Sequence, residues 1–220
     1  MTVDPQSDIV VSAYQWVPDF AKGHVRDLRV RWALEEVGAA YAVRLLDVTA
    51  DRPFDYLREQ PFGQVPAYRD DQVRIFESGA IVMHIAERWP GLLPADPAGR
   101  ARAVSWLVAA LNSIEPITQQ LAEIDFFHKG AAWTEERRPQ VLEQATKRLE
   151  QLAAYLGDRD WLERAFTAGD LMMVAVLRIF DGTPALESHP VLAAYVKRGE
   201  ARPAFQRALA AQLADFKQAA

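Results

Sequence analysis

The 220-residue sequence contains no cysteine. This absence excludes disulfide bonds, thiolate metal sites and a cysteine nucleophile, and with them a small secreted scaffold held together by disulfides. An excess of basic residues is also missing: 25 Lys and Arg stand against 30 Asp and Glu, for a formal net charge of -5. Because both signs of charge are mixed along every segment, we expect no surface for the phosphates of a nucleic acid.

Long apolar runs are missing too. The longest, Leu171–Leu177, is far shorter than the roughly 20 residues that a membrane-spanning helix needs. The polar segment Met1–Asp8 lacks the basic and apolar regions of a signal peptide. We therefore expect a soluble, cytoplasmic protein with no membrane partner.

A metal site is not expected either. The chain has four histidines, His24, His84, His128 and His189. Their spacing, from one another and from nearby acidic residues, does not match the ligand patterns of metal sites. The chain does have a hydrophobic half and a charged quarter, which is the balance of a soluble globular protein with a substantial core.

The first third of the chain alternates between strand and helix patterns. Strand patterns occupy Ile9–Trp16, Tyr41–Leu46, Val65–Tyr68 and Val73–Phe76. Helical spacing of apolar residues occupies His24–Val37 and Ser78–Trp89, with Gly38 as a C-cap of the first helix. This order predicts a small mixed sheet with helices packed on it, and the short polar link 69–72 predicts an antiparallel hairpin.

The composition changes at Pro90–Pro97, where prolines and a glycine break the helix. Beyond this point the apolar spacing is helical throughout, in Ala98–Gln120, Glu135–Leu156, Ala168–Phe180, Val191–Glu200 and Ala204–Phe216. The sequence thus predicts an α/β domain over residues 1–90, a linker over 91–97 and an all-α domain over 98–220.

The segment Gln60–Tyr68 places a proline where a strand begins. Such a proline removes a ladder hydrogen bond and is normally confined to a strand edge. If the Val65–Pro66 bond is cis, the backbone before it turns the N–H and C=O of Val65 outward, free to pair with an extended peptide-like ligand. Only about 5–6% of X–Pro bonds in folded proteins are cis, so the pattern by itself favours a trans proline.

Glu77 and Ser78 lie where a strand gives way to a helix. The first backbone N–H groups of a helix are unpaired and form its positive end. Ser78 can therefore either cap its own helix or bind a carboxylate together with those N–H groups, while Glu77 can pair with an ammonium group. An amino acid head group presents both charges side by side.

These segments resemble motifs of the glutathione transferase family. Gln60–Tyr68 is similar to the family's asparagine-proline-phenylalanine-glycine-glutamine-valine-proline segment, and Glu77–Ile81 is similar to its glutamate-serine motif. Trp32–Glu36 resembles the end of the family's first helix. The resemblance implies a thioredoxin-like, glutathione-binding first domain, an all-α second domain and a homodimer.

The resemblance also implies a role for each matching residue, with glutathione as the co-substrate. Val65 would clamp the backbone of the cysteinyl residue, with Pro66 as a cis proline. Gln64, Glu77 and Ser78 would hold the γ-glutamyl end.

The activity implied by the family is attack of the glutathione thiolate on a small apolar electrophile, as in detoxification. Transferase, peroxidase and dehalogenase activities share the glutathione site, so all three stay open. The alternative is a carrier or interaction protein that keeps the fold without the chemistry.

The chain departs from the family at the residue that activates the thiol. A free thiol has a pKa of about 8.5, so a donor or a dipole must favour the thiolate. The connection 14–26 is longer than usual and contains neither serine nor cysteine. Tyr14 could donate its O–H to the sulfur, or His24 could donate at the start of the first helix. Backbone N–H groups around His24 and Val25 are a third option, and the alternative roles are a half-buried strand tyrosine and a surface histidine.

Two further predictions concern the helical domain. Thr167 and Asp170 have the spacing of a capping box, and the family carries a similar one; we interpret it as structural, worth about 1 kcal/mol, and not catalytic. The pocket for the second substrate has four candidates, although each of them individually fits core or helix packing better: Trp106, Asn112, Phe126 and Phe127.

Overall fold

The computed structural model describes residues 2–181 and 183–216. Their contacts form two compact units. The first unit combines the chain up to Leu93 with the segment from Ala201 onward, and the second spans Pro94–Glu200.

Strands and helices follow the predicted order closely. The strands are β1 (Val10–Tyr14), β2 (Ala42–Leu46), β3 (Ala67–Arg69) and β4 (Arg74–Phe76). The helices are α1 (Asp27–Val37), α2 (Phe54–Leu57), α3 (Ser78–Arg88), α4 (Pro97–Ala109), α5 (Glu115–Ala122), α6 (Ala132–Leu156), α7 (Ala168–Leu177), α8 (Pro184–Glu187), α9 (Pro190–Glu200) and α10 (Pro203–Asp215). The sequence pattern missed α2 and α8, which are too short to show a helical period. Within the described ranges, no helix combines the length and apolarity that crossing a membrane requires.

The first unit is built on a four-stranded mixed sheet in the order β2-β1-β3-β4. β1 runs parallel to β2 and antiparallel to β3, and β3 pairs antiparallel with β4. The centre of β1, Val11–Ala13, is buried. The predicted thioredoxin-like α/β architecture, followed by a mostly helical region, is confirmed.

Asp70 anchors the predicted β3–β4 hairpin. One of its carboxylate oxygens accepts two backbone N–H groups of the turn, at 2.8 and 2.9 Å. The other accepts hydrogen bonds from Tyr68 and from His84 and Arg88 on α3. Burial alone would raise the pKa of Asp70, but the hydrogen bonds from His84, the turn and Tyr68 outweigh burial and hold it well below its usual range. This carboxylate therefore joins the hairpin to α3.

Helix α1 ends at Gly38 in the left-handed conformation (φ 69°), as predicted. Helix α1 also packs against α10. There the rings of Trp32 and Phe205 meet edge to face, with their centres 4.9 Å apart. The sequence prediction assigned α10 to the helical domain (98–220), whereas the structure groups it with the first unit, because its apolar side is buried against α1. The division at 91–97 stays a prediction.

The second unit begins with α4, whose N-cap Asp96 accepts the N–H of Gly99 at 2.7 Å. The sequence predicted one helix over Ala98–Gln120, but a π-helical turn over Ala110–Ile114 separates α4 from α5. The physical reason is Pro116, which has no N–H to continue the α-helical hydrogen-bond pattern.

Helix α7 begins with the predicted capping box, which is confirmed. The Thr167 hydroxyl accepts the N–H of Gly169 at 3.2 Å, and the Asp170 carboxylate accepts the N–H of Thr167 at 2.9 Å. A Cβ at Gly169 would lie 2.8 Å from the carbonyl oxygen of Ala103 and from the Cβ of Trp106 on α4. Only glycine allows this close approach of α7 to α4.

Candidate functional site

The Val65–Pro66 peptide bond is cis. The isomer that the resemblance implied is therefore present, and the trans proline favoured by the pattern alone is wrong. Both residues are buried. Among the described residues, no hydrogen bond reaches the backbone N–H or C=O of Val65, which leaves both groups available to an extended ligand.

The predicted site residues lie at one end of the sheet. Ala67 pairs with Phe76, so Pro66, directly before β3, and Glu77, directly after β4, lie at that end. Tyr14 is the last residue of β1 and packs on the apolar cluster that contains Val65. One end of the sheet thus brings together Tyr14, the cis proline segment and the start of α3.

A chain of hydrogen bonds between hydroxyl groups holds the backbone on both sides of Pro66. The N–H of Ala67 donates to the hydroxyl of Ser12 at 2.6 Å, and that hydroxyl lies 2.8 Å from the hydroxyl of Tyr56. Tyr56 in turn donates to the carbonyl oxygen of Gln64. Ser12 therefore donates to Tyr56, so every hydroxyl in the chain both accepts and donates. Burial raises the pKa of Tyr56 and keeps this donor protonated.

The loop leading to this segment is shaped by two more side chains. The buried Gln60 accepts the backbone N–H groups of Phe62 and Gln64 at 2.7 and 3.3 Å. Arg52 donates to the carbonyl oxygen of Gly63 at 2.8 Å. These contacts set the path of the backbone while the side chain of Gln64 stays exposed.

Glu77 and Ser78 form the start of α3. Glu77 occupies the N-cap position with φ 69° and ψ 115°, and its side chain is exposed and makes no capping hydrogen bond. Ser78 is the first residue inside the helix and is 4% exposed, so its interpretation as an ordinary N-cap is wrong. A positive φ in a residue other than glycine costs on the order of 1–3 kcal/mol and is concentrated at functional sites.

A buried arginine lies beside Ser78. Arg29 on α1 is 4% exposed, and its guanidinium donates to the Ser78 hydroxyl at 3.3 Å. Beside this hydroxyl the first N–H groups of α3 form the positive end of the helix, which is suited to an anionic group such as a carboxylate. The sequence analysis missed Arg29 because nothing in its local pattern distinguishes it from a surface residue of an amphipathic helix.

Tyr14 lies at the end of β1 and is half-buried. Its ring packs against the apolar cluster of Leu46, Tyr56, Val65 and Ala67. The guanidinium of Arg52 lies 5.2 Å from the centre of this ring and donates to the phenolic oxygen at 3.5 Å. Because the phenol accepts from Arg52, its own proton is free to point toward another acceptor.

His24 is exposed and lies three residues before α1, in a turn where its N–H donates to the carbonyl of Ala21 at 3.0 Å. The next residue, Val25, packs against the same apolar cluster as Tyr14. The start of α1 therefore borders this end of the sheet.

The four remaining candidates belong to the second unit. The ring of Trp106 packs on that of Tyr155 with centres 4.5 Å apart, which is helix packing. Asn112 is exposed on the π-helical turn, and Phe127 is 62% exposed. Phe126 lines a cavity of about 270 Å³ whose other apolar walls include Leu121, Leu142, Ile179 and Phe180.

Comparison with known proteins identifies relatives. A family model described as "Glutathione S-transferase, N-terminal domain" matches residues 21–87. The probable glutathione S-transferase GSTF1 of Oryza sativa subsp. japonica is 30% identical over 201 residues, which cover 84% of this chain and 91% of that protein. The probable glutathione S-transferase GSTF2 of the same plant is 34% identical over 174 residues, covering 74% and 78%.

Solved structures show the same fold. A glutathione transferase from Pseudomonas putida, with one glutathione disulfide bound per subunit, matches with a TM-score of 0.80 at 22% identity. The match covers 92% of this chain and 91% of that one.

Proposed function

Because the chain belongs to the glutathione S-transferase family, we propose that it binds glutathione in the first unit and promotes attack of the thiolate on a small apolar electrophile. The observation that carries this proposal is the cis Val65–Pro66 bond directly before β3, at the end of the sheet where its partner strand β4 leads into α3. The Pseudomonas putida relative holds glutathione disulfide, which supports the choice of ligand. A cytoplasmic homodimer acting in detoxification is part of the same proposal.

Glutathione fits this arrangement by its backbone and its charges. The N–H and C=O of Val65 would pair with the backbone of the cysteinyl residue. The α-carboxylate of the γ-glutamyl end would bind the Ser78 hydroxyl and the first N–H groups of α3, near Arg29. The exposed carboxylate of Glu77 would pair with the α-ammonium group, and Gln64 would contact the same end.

In this orientation the cysteinyl sulfur would face the end of β1 and the start of α1. Tyr14 packs on the same apolar cluster as Val65, and this contact supports our assignment of Tyr14 as the donor to the thiolate. The positive end of α1 would add to this stabilisation. The thiolate, held close to the electrophile, then attacks it directly.

The glutathione site is tested by replacing Ser78 with alanine. We expect the dissociation constant for glutathione to rise about 10- to 100-fold, since a hydrogen bond to a charged group contributes about 1.5–3 kcal/mol. Isothermal titration calorimetry measures this change. Ser105→Ala is the matched control, because within the described part of the chain that hydroxyl donates to its own helix, to the carbonyl of Ala101. Equal affinities of the two variants would contradict the site, and absence of binding to the intact protein would favour a carrier or interaction role.

Thiol activation is tested by comparing Tyr14→Phe with His24→Ala. We expect Tyr14→Phe to lower kcat about a hundredfold, the usual cost of removing one donor to a developing anion, with little change in glutathione affinity. His24→Ala should keep kcat near that of the intact protein. Steady-state kinetics with a chromogenic aryl halide measures both. The reverse result would assign activation to His24, and two unchanged variants would show that neither side chain activates the thiol.

A further inference from the structure

The interface between α1 and α10 contains ion pairs as well as the apolar contact of Trp32 with Phe205. Three ion pairs span it, Arg202–Glu36, Arg207–Glu35 and Arg31–Asp215, each with a nearest distance of 2.6 Å. Arg31 and Glu35 are buried, and Arg31 also pairs with Asp27 at the first turn of α1. Along α1 these contacts run from its last turn to its first.

Gln212 on α10 completes this series at the start of α1. Its side chain is fully buried. The amide nitrogen donates to the carbonyl oxygen of Val25 at 3.2 Å and to the carboxylate of Asp27 at 2.8 Å. One side chain thus holds the last loop residues and the first helical residue in a single arrangement. The opposite orientation of the amide would face its oxygen toward two other oxygens, so the donor assignment follows from the chemistry.

The amide oxygen of Gln212 has no hydrogen-bond partner among the described residues. A buried acceptor without a partner costs on the order of 1–3 kcal/mol, and an apolar residue of similar size would avoid that cost. Within the described part of the chain, both hydrogen bonds of the amide go to the start of α1. At that start the side chain of the N-cap residue, Arg26, makes no capping hydrogen bond, so the amide of Gln212 adds polar contacts that the cap itself does not supply.

The hydrogen bond from Gln212 to Val25 links α10 to the place where we propose that the thiol is activated. The side chain of Val25 packs on the apolar cluster that also receives Tyr14 and contains Val65. Any shift of the loop at Val25 therefore moves one wall of the place where the glutathione sulfur would lie, together with the positive end of α1.

We propose that Gln212 is a positioning residue for thiol activation: from the C-terminal helix it fixes the start of α1 against the cysteinyl sulfur of bound glutathione. This inference rests on the proposed glutathione site, and it adds α10 to the elements that build that site. Gln212 itself touches neither substrate nor Tyr14; it acts through Val25 and Asp27.

The test is the ionisation of glutathione bound to Gln212→Leu, which keeps the volume and removes both donations. Ultraviolet absorbance of the thiolate, followed against pH, gives the thiol pKa in the complex. We expect this pKa to rise by about one unit. At a pH below the thiol pKa, kcat should therefore fall about tenfold. The glutathione dissociation constant should stay within about threefold of that of the intact protein. Gln212→Asn, whose shorter amide no longer reaches the carbonyl of Val25, should show the same shift if Gln212→Leu does not fold.

Arg202→Gln is the matched control, because it breaks the bidentate pair with Glu36 at the other end of the same interface. It should lower stability and leave the thiol pKa unchanged. A thiol pKa in the folded Gln212 variants equal to that of the intact protein would overturn the positioning role, as would an equal shift in Arg202→Gln. Failure of the intact protein to bind glutathione would instead overturn the proposed function, so the two failures are distinguishable.

Discussion

Replacing Asp170 with alanine is expected to lower the free energy of unfolding by at least about 3 kcal/mol, since each buried donor left without a partner costs about 1–3 kcal/mol. The carboxylate is fully buried and accepts four hydrogen bonds. They come from the N–H groups of Leu162 and Thr167, the hydroxyl of Thr167 and the hydroxyl of Tyr195, at 2.8 to 3.0 Å. This carboxylate therefore joins three segments of the second unit, well beyond the role of a capping box.

Urea denaturation measures the effect, with Asp96→Ala as the matched control. Asp96 caps α4 from an exposed position by accepting the N–H of Gly99, so its loss should cost about 1 kcal/mol. A loss in Asp170→Ala no larger than that in Asp96→Ala would contradict the network. Because Asp170 lies in the second unit, glutathione affinity of the folded variant should remain close to that of the intact protein.

Asp70→Asn is the second large effect that we expect, with a loss of roughly 3 kcal/mol in the free energy of unfolding, as is usual when one partner of a buried ion pair is removed. The side chain of Asp70 is 1% exposed. It accepts hydrogen bonds from Tyr68, His84 and Arg88 and from the backbone of the hairpin turn. Asp71→Asn is the matched control: it also pairs with Arg88, but its side chain is 64% exposed, so its pair should contribute at most about 1 kcal/mol.

The effect of Asp70→Asn should also depend on pH. The folded-state pKa of Asp70 is held below the unfolded value of about 3.9. Its contribution to stability is therefore full above the unfolded pKa and is lost as pH falls toward the folded pKa. Denaturation of both proteins between about pH 6 and pH 3 should show their difference in stability shrinking toward the acid end, and a constant difference would contradict this assignment. Asp27, whose pKa burial raises to about 6, titrates in both proteins and cancels in the comparison.

Much of the fold could be predicted because its signals are local. A segment rich in Val, Tyr and Trp predicts the first strand, and the helical period predicts α1 and α3. Gly38 marks the end of α1, and the capping box at Thr167 marks the start of α7. Each of these signals depends on residues within a few positions of one another, and backbone geometry turns such spacing directly into structure.

Several candidate site residues could also be predicted, because the family resemblance names short segments. It pointed to Val65 and Pro66 with the cis bond, and to Ser78 at a helix start, although only the structure shows that Glu77 rather than Ser78 is the N-cap. By the residue pattern alone the proline would be trans. Periodicity reports burial, and it carries little information on the isomer of one bond.

What the sequence by itself determined is therefore the order of most elements, the helical character of the second unit and the motif that we propose binds glutathione. Only the tertiary structure decided what supports that motif. Ser12 meets Tyr56 across 44 positions, Arg29 meets Ser78 across 49 and Gln212 meets Val25 across 187. A polar residue in an apolar sequence pattern needs a hydrogen-bond partner once it is buried. Which residue becomes that partner depends on sheet register and helix packing. Those are settled only when the whole chain folds.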